Sequence, residues 1–132
     1  MIEEIIIKSN RRNELINITS KVSDFIKNSN IKEGLATIYI PHTTAGIIIN
    51  EHADPSVAED IENVLMKMVP ENNGYLHFEG NSDSHIKSAI TGSSVSVIIS
   101  EYQLLLGTWQ GIFFCEFDGP RTRKVYIKII KG

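Results

Sequence analysis

A single cysteine, Cys115, stands among the 132 residues. No internal disulfide can therefore staple the chain, and a reducing compartment suits it. Cys115 follows Ile112-Phe113-Phe114 and reads as a small buried apolar residue rather than a nucleophile. No apolar run approaches the roughly 18 residues that a membrane helix needs. Met1 to Lys8 is short, acidic and alternating, unlike a signal peptide, so a cytoplasmic protein without membrane partners is expected. Acidic residues outnumber basic ones, 16 to 13, for a formal net charge of −3. The one basic cluster, Arg121, Arg123 and Lys124, could hold one phosphate group but could not track a duplex, which argues against nucleic acid as a partner. There is no Gly-x-Ser-x-Gly, no His-Glu-x-x-His and no cysteine pair, so the common nucleophile-elbow and local zinc signatures are absent. Repeats, linkers and low-complexity segments are missing too. Residues 1–132 therefore read as one domain, long enough to bury a core.

What is present is mostly β pattern. Ile2 to Lys8 and Glu14 to Ile18 predict a hairpin around the polar turn Ser9-Asn10-Arg11-Arg12-Asn13. Thr19 is placed to cap a short helix over Ser20 to Asn28, with Val22, Phe25 and Ile26 on one face. Gly34 to Pro41 and Ala45 to Asn50 are β-branched strands. Only a short connection separates them, so they form either a hairpin or one bent strand. The strongest helix runs from Pro55 to Met68. Asp54 is its N-cap, Pro55 its first residue, and Val57, Ile61, Val64, Leu65 and Met68 its buried stripe. A shorter helix over Ser82 to Ile90 ends at Gly92. Strands follow at Ser94–Ser100, Tyr102–Leu106, Gly111–Asp118 and Arg123–Ile130. In the last, Val125, Ile127 and Ile129 alternate with Lys124, Tyr126 and Lys128. The order predicts an α+β domain with a large, mostly antiparallel, curled sheet or sandwich and two to three helices. Ile47-Ile48-Ile49, Val97-Ile98-Ile99 and Leu104-Leu105-Leu106 read as covered on both faces, and another subunit could supply part of that cover.

Three polar islands interrupt this apolar chain. The first is His42-Thr43-Thr44-Ala45-Gly46 with Asn50-Glu51-His52-Ala53-Asp54-Pro55. The second is Tyr75-Leu76-His77-Phe78-Glu79 through Asp83-Ser84-His85-Ile86-Lys87. The third is Gly107-Thr108-Trp109-Gln110-Gly111 with Glu116 and Gly119-Pro120-Arg121. Ionisable groups at strand ends suggest one site assembled from distant segments.

Taken in order over nearly the whole chain, these motifs resemble the YjbQ-like family, also labelled the secondary thiamine-phosphate synthase enzyme family. They include Ser-His-Ile-Lys running on to Thr91-Gly92-Ser93-Ser94. The resemblance implies a small homotrimeric α+β protein whose pocket these motifs line, with a bound metal in some members. It also implies weak thiamine-phosphate synthase activity, a transferase reaction. The chain departs from other members between Asn81 and His85, where some carry a longer insertion with Asp-Met-Pro. The carboxylate of that insertion then maps onto Asp83.

Two chemistries fit the residues. His42, His77 and His85 could converge on zinc or another transition metal with a position left open. Glu51 or Glu116 would then act as base in metal-assisted hydrolysis. In the transferase reading, Glu51, Asp54, Asp83, Lys87 and Arg121 would hold Mg²⁺ and pyrophosphate. Trp109 would stack on a heterocycle and Gln110 would read its edge. Thr43, Thr44, Ser93, Ser94 and Thr108 are candidate hydroxyl donors to a phosphorylated ligand. Each residue also has a structural role open to it. The histidines, His52 above all, could be hydrogen-bonded and partly buried, Asp54 a helix cap, Trp109 core, and Arg121 half of a surface ion pair. A non-catalytic trimer that binds a metabolite or metal would carry the same islands.

Overall fold

In the computed structural model, which describes residues 2–132, two antiparallel sheets face each other across an apolar core. The strands are β1 (Ile2–Lys8), β2 (Glu14–Asn17), β3 (Gly34–Tyr39), β4 (Ala45–Glu51), β5 (Ser94–Ser100), β6 (Gln103–Leu104), β7 (Gln110–Glu116) and β8 (Thr122–Lys131). The helices are α1 (Thr19–Asn28), α2 (Pro55–Met68) and α3 (Ser82–Thr91). One sheet has the order β1-β8-β3-β5-β6 and the other β2-β7-β4. The α+β class and the antiparallel, sandwich-like sheet are as expected.

Period-two alternation builds the core. Along β8, Val125, Ile127 and Ile129 point inward, opposite Ala36 and Ile38 of β3 and Val97 and Ile99 of β5. From the other sheet come Ile47, Ile112 and Phe114, and α1 adds Val22 and Ile26. Each fully buried large side chain contributes about 1.5–3 kcal/mol of transfer free energy. The outer face of the three-stranded sheet carries a second cluster under α2, in which Leu65, Cys115 and Phe117 pack with Leu15, Ile48 and Ile61. So β4 is covered on both faces by its own chain. On β5, in contrast, Ile98 is 54% exposed, and Leu105 is 60% exposed.

Several expectations fail for one reason, that strand pairing is not local. β1 and β2 are not a hairpin, since β1 pairs with β8 and β2 with β7. β3 and β4 are neither a hairpin nor one bent strand, because they lie in different sheets and Ile40–Thr44 carries the chain across. Thr19 does not cap α1. Instead, the Asn17 side chain accepts hydrogen bonds from Thr19 N at 3.1 Å and Thr19 Oγ1 at 2.5 Å. α2 begins as expected, with Asp54 Oδ1 accepting from Ser56 N at 2.9 Å, but Val64 and Met68 of its stripe are exposed. The strand over Tyr102–Leu106 shrinks to β6. The positive φ values of Glu101 and Tyr102 (51° and 69°) make a tight β5–β6 hairpin turn there.

Candidate functional site

β4 and its partner β7 carry candidate residues at both ends. Ala45 faces Glu116 at one end, and Glu51 faces Gln110 at the other. At about 3.3 Å per residue, the seven residues of β4 hold the two ends roughly 20 Å apart.

At the first end lies a buried ionic network. Glu116 is fully buried, and Arg123 grips it with Nε at 2.9 Å from Oε1 and Nη2 at 2.5 Å from Oε2. Ser9 Oγ donates to Glu116 Oε1 at 2.7 Å, and Asp118 N donates to Oε2 at 3.1 Å. Thr44 Oγ1 accepts from Arg123 Nη2 at 2.9 Å. Burial pushes the Glu116 carboxyl up. The bonds from Arg123, Ser9 and Asp118 N outweigh it and hold the group below the usual carboxylate range. Next to this, Asp83 and Lys87 form a buried pair at 3.0 Å, one turn apart on α3. Lys87 Nζ also donates to Asn13 Oδ1 at 2.6 Å and lies 5.4 Å from the Phe117 ring centroid. Arg12 Nη2 reaches Asp83 at 2.9 Å, and Arg12 Nη1 reaches Asp118 at 3.3 Å. Glu116, Thr44, Asp83 and Lys87 thus have their hydrogen-bonding capacity directed inward, onto one another and their neighbours.

The face of α3 that packs on β4 is polar as a result. Asp83, Ser84, Lys87 and Ser88 are its buried residues, while Ile86 and Ile90 are 38% and 53% exposed. Ser88 Oγ donates to Ala45 O and Ser84 Oγ to Phe117 O, at 2.6 and 2.5 Å. This fixes how α3 seats and leaves His85 on the outside.

The surface above the network holds three of the four histidines. His42, Thr43, His85 and Ser93 line a hollow of about 390 Å³. His85 also borders a second hollow, of about 480 Å³, with Tyr75, Leu76, His77 and Ile86. The His77 and His85 rings meet edge to face, with centroids 5.5 Å apart. His42 is half-buried, and its Nε2 accepts from Lys124 N at 3.0 Å, so the neutral ring carries its proton on Nδ1. Burial and the nearby Arg123 charge lower the His42 pKa. Arg121 is held over this end by Asp118, with Nε on the Asp118 carbonyl at 2.7 Å and Nη2 on its carboxylate at 2.9 Å. Among the described residues, no three His, Cys, Asp or Glu side chains already stand around one point. His85 adjoins each of the other two without the three converging.

The second end is separate. Glu51, His52 and Asp54 line a hollow of about 520 Å³ with Arg11, Asn17, Glu59, Glu62 and Met66. Glu51 Oε2 accepts from Asp54 N at 3.2 Å. Asp54 performs its capping role, and its bonds from Ser56 hold its carboxyl below the usual range. The His52 side chain sits against Gly111, where an added Cβ would come within 2.5 Å of its Cβ and Cγ. His52 N donates to Trp109 O at 3.0 Å. Trp109 is 62% exposed and belongs to no core cluster. Gln110 Oε1 folds back to accept from Gly107 N at 2.8 Å, and Thr108 is exposed in the same turn.

One chain therefore gathers His42, His77, His85, Thr43, Thr44, Asp83, Lys87, Glu116 and Arg121 at one end, and Glu51, Asp54, Thr108, Trp109 and Gln110 at the other. Sequence reasoning passed over Ser9, Arg12, Asn13, Asn81 and Asp118, and it placed Arg123 in a phosphate-holding cluster with Arg121 and Lys124, whereas Arg123 is buried against Glu116. Arg123 had a signal. It shares the inward parity of Val125, Ile127 and Ile129, and an arginine aimed at a core requires a buried acid.

The comparisons agree over the chain's length. The sequence matches the family described as UPF0047 protein YjbQ-like over residues 3–132. It is 57% identical over 124 residues to a UPF0047 protein of Methanocaldococcus jannaschii, covering 94% of this chain and 90% of the relative. It is 49% identical over 131 residues to the UPF0047 protein YugU of Bacillus subtilis, covering 98% and 99%. A solved structure from Clostridium acetobutylicum, described as an uncharacterized conserved protein of the YjbQ/UPF0047 family, superposes with a TM-score of 0.95 at 49% identity, covering 97% of this chain and 99% of that one. A YbjQ-like protein of unknown function from Sulfolobus solfataricus gives 0.96 at 30% identity, covering 100% and 97%. The chain belongs to the UPF0047 protein YjbQ-like family.

Proposed function

We propose that the His42–His85–His77 surface is a metal-dependent pocket for a small phosphorylated ligand, in a cytoplasmic homotrimer. The observation that carries this reading is the position of His85, which borders one hollow with His42 and the other with His77. The donor set suits zinc or another transition metal, since His77 and His85 are exposed, adjacent imidazoles. His42 would join them by giving up its bond from Lys124 N. When bound, such a metal supplies a Lewis acid and lowers the pKa of its water toward neutrality.

The chain's own residues bind and orient the ligand. Thr43 and Ser93 present exposed hydroxyls on the hollow. Arg121 presents a half-exposed guanidinium already oriented by Asp118, suited to bidentate phosphate binding. Glu116 and Asp83 are neutralised by Arg123, Lys87 and Arg12. They act as struts under the pocket rather than as Mg²⁺ ligands or bases.

Thiamine-phosphate synthase chemistry is the finer reading that the family resemblance supports. In it, a thiazole nitrogen bonds to a pyrimidine methyl carbon as the carbon–oxygen bond to pyrophosphate breaks. Arg121 and the metal would take the leaving charge, while Trp109, at the other end of β4, is out of reach of a ring bound in this pocket by the same chain. The test is pyrophosphate release from a pyrimidine-methyl diphosphate with a thiazole acceptor, with and without added Zn²⁺ or Mg²⁺. Metal-dependent release lost in His85→Ala and Arg121→Ala supports turnover. Tight binding of inorganic pyrophosphate without release makes this a binding protein. Absence of both binding and release would refute the pocket.

A further inference from the structure

The polar turn from Ser9 to Asn13 joins β1 to β2, strands of different sheets, and it locks onto the turn that carries Arg121. Ser9 N donates to Arg121 O at 2.9 Å, Arg121 N donates to Ser9 Oγ at 2.8 Å, and Gly119 N donates to Arg12 O at 3.2 Å. The fit is close enough that a Cβ on Gly119 would come within 2.4 Å of Arg11 O. These contacts fix the Arg121 main chain. Its side chain depends on Asp118, which is held from three sides. Arg121 Nη2 and Asn81 Nδ2 donate to Asp118 Oδ2 at 2.9 and 3.0 Å, and Arg12 Nη1 donates to Oδ1 at 3.3 Å.

Arg12 reaches two further supports of the histidine end. Its Nη2 donates to Asp83 Oδ1 at 2.9 Å and to Ser84 Oγ at 3.4 Å, in the first turn of α3, the helix that carries His85 on its exposed side. The same nitrogen lies 3.5 Å from Gly80 O, and Nε lies 3.5 Å from Glu71 Oε1. Glu71 and Gly80 stand on either side of His77 in the chain. One guanidinium thus touches the segment of His77, the helix of His85 and the anchor of Arg121. Its arms are spread as this bridging requires, whereas a lysine ammonium is a single point. Arg121 itself directs Nε and Nη2 to Asp118, which leaves its Nη1–Nη2 edge for two oxygens of one anion.

We infer that Arg12 is a positioning residue for this end: through Asp118 it aims Arg121, and through Asp83 it keeps that arginine in register with the helix of His85. The inference rests on the pocket proposed above and names what holds its parts together. Arg12 acts by preorganisation, since a guanidinium already aimed has less freedom left to lose when an anion binds. Without Arg12, one oxygen of Asp118 is released, and the carboxylate can turn together with Arg121.

Isothermal titration with inorganic pyrophosphate, without added metal, tests this on wild type, Arg12→Lys, Arg121→Ala and the double variant, with Arg12→Gln beside them. Asp83 keeps Lys87 and Asp118 keeps Arg121 as cationic partners in both Arg12 variants, so neither strands a carboxylate and circular dichroism should be unchanged. Each should weaken pyrophosphate binding about tenfold, as loss of a supporting partner does at metal sites. In the Arg121→Ala background, Arg12→Lys should change affinity by less than about twofold, because its effect runs through Arg121. A purely structural role would lower the urea midpoint and leave the affinity of the folded protein unchanged. That result, or an equal loss in both backgrounds, would overturn the inference. The Nε–H resonance of Arg121 in isotope-labelled protein, identified by its loss in Arg121→Ala, reads the same positioning with no ligand. Its exchange with water should quicken in Arg12→Lys, and unchanged exchange would overturn the inference. Wild type that binds no pyrophosphate refutes the pocket instead, and the Arg121 resonance then judges Arg12 by itself.

Discussion

Glu116 and Arg123 are the sharpest place to separate a structural carboxylate from a catalytic one. Both are buried, at 0% and 5% exposure, and two nitrogens of Arg123 contact the carboxylate. Glu116→Gln leaves a guanidinium buried with only the Thr44 oxygens and a neutral amide. Arg123→Met leaves a carboxylate with only Ser9 Oγ and Asp118 N. Breaking a buried pair from one side costs about 3–5 kcal/mol, because the remaining charge is uncompensated. Such a loss is a large part of the roughly 5–15 kcal/mol available to a domain. For a chain of this length it lowers Tm by about 10–20 °C. Removing both members should cost less than the sum by about 2 kcal/mol or more, since each single variant strands the other's charge. The assay is urea unfolding followed by circular dichroism at one fixed protein concentration, because an oligomer's stability depends on it. The wild type should also show a pH signature. The folded pKa of Glu116 is depressed, so its contribution is complete above the ordinary carboxylate range and is lost as pH falls through the folded value. Glu116→Gln lacks that component. A Glu116→Gln cost below about 1 kcal/mol, additive with Arg123→Met, would refute the strut and restore Glu116 as a candidate base.

Other outcomes follow from the same geometry. The His42 pKa is lowered by burial and by Arg123, so its stabilising effect is full above the ordinary histidine range and falls as pH drops through its folded value. Urea midpoints from about pH 8 to about pH 5 should decline less steeply in His42→Gln, which keeps an acceptor for Lys124 N; equal slopes would refute this. Gly46→Ala drives a Cβ into Thr91 Oγ1 and the Gly92 carbonyl. Overpacking of about 1–3 kcal/mol is expected by chemical denaturation, with partial recovery in Gly46→Ala/Thr91→Ala; no recovery would mean the Gly92 carbonyl sets the cost. The Cys115 thiol is fully buried and its pKa is raised, so a thiol reagent should label it only at the rate of unfolding. Fast labelling in native buffer would contradict the packing under α2.

Local chemistry was legible and long-range pairing was not. Asp54-Pro55 and the apolar repeat after it marked α2, and Gly92 marked the end of α3, because caps and periodicity act within a few residues. The alternation of β8 gave its inward face. The polar turn at residues 9–13 looked like hairpin chemistry, yet β2 finds its partner in β7, about a hundred positions away. Nor could adjacency in sequence reveal that β3 and β4 belong to different sheets. Within the candidate site the residue types were visible but their directions were not. Asp83 and Lys87 stand four apart, which fits a solvent-facing pair as well as a buried one, and the core packing of α3 decides between them. The three islands did mark polar strand ends, but a strand has two ends, and Glu51 and Trp109 lie at the opposite one from His42.

The most direct test of the proposed pocket is metal analysis of tag-free protein equilibrated with Zn²⁺ and dialysed, beside His77→Ala and His85→Ala, with hydrogen exchange at Lys124 N read in parallel. The histidine site is expected to retain near-stoichiometric metal in wild type and to lose it in both folded variants. Loading should also quicken exchange at Lys124 N as His42 leaves it. Wild type that retains no metal, with Lys124 N equally protected before and after Zn²⁺, would contradict the metal-dependent pocket.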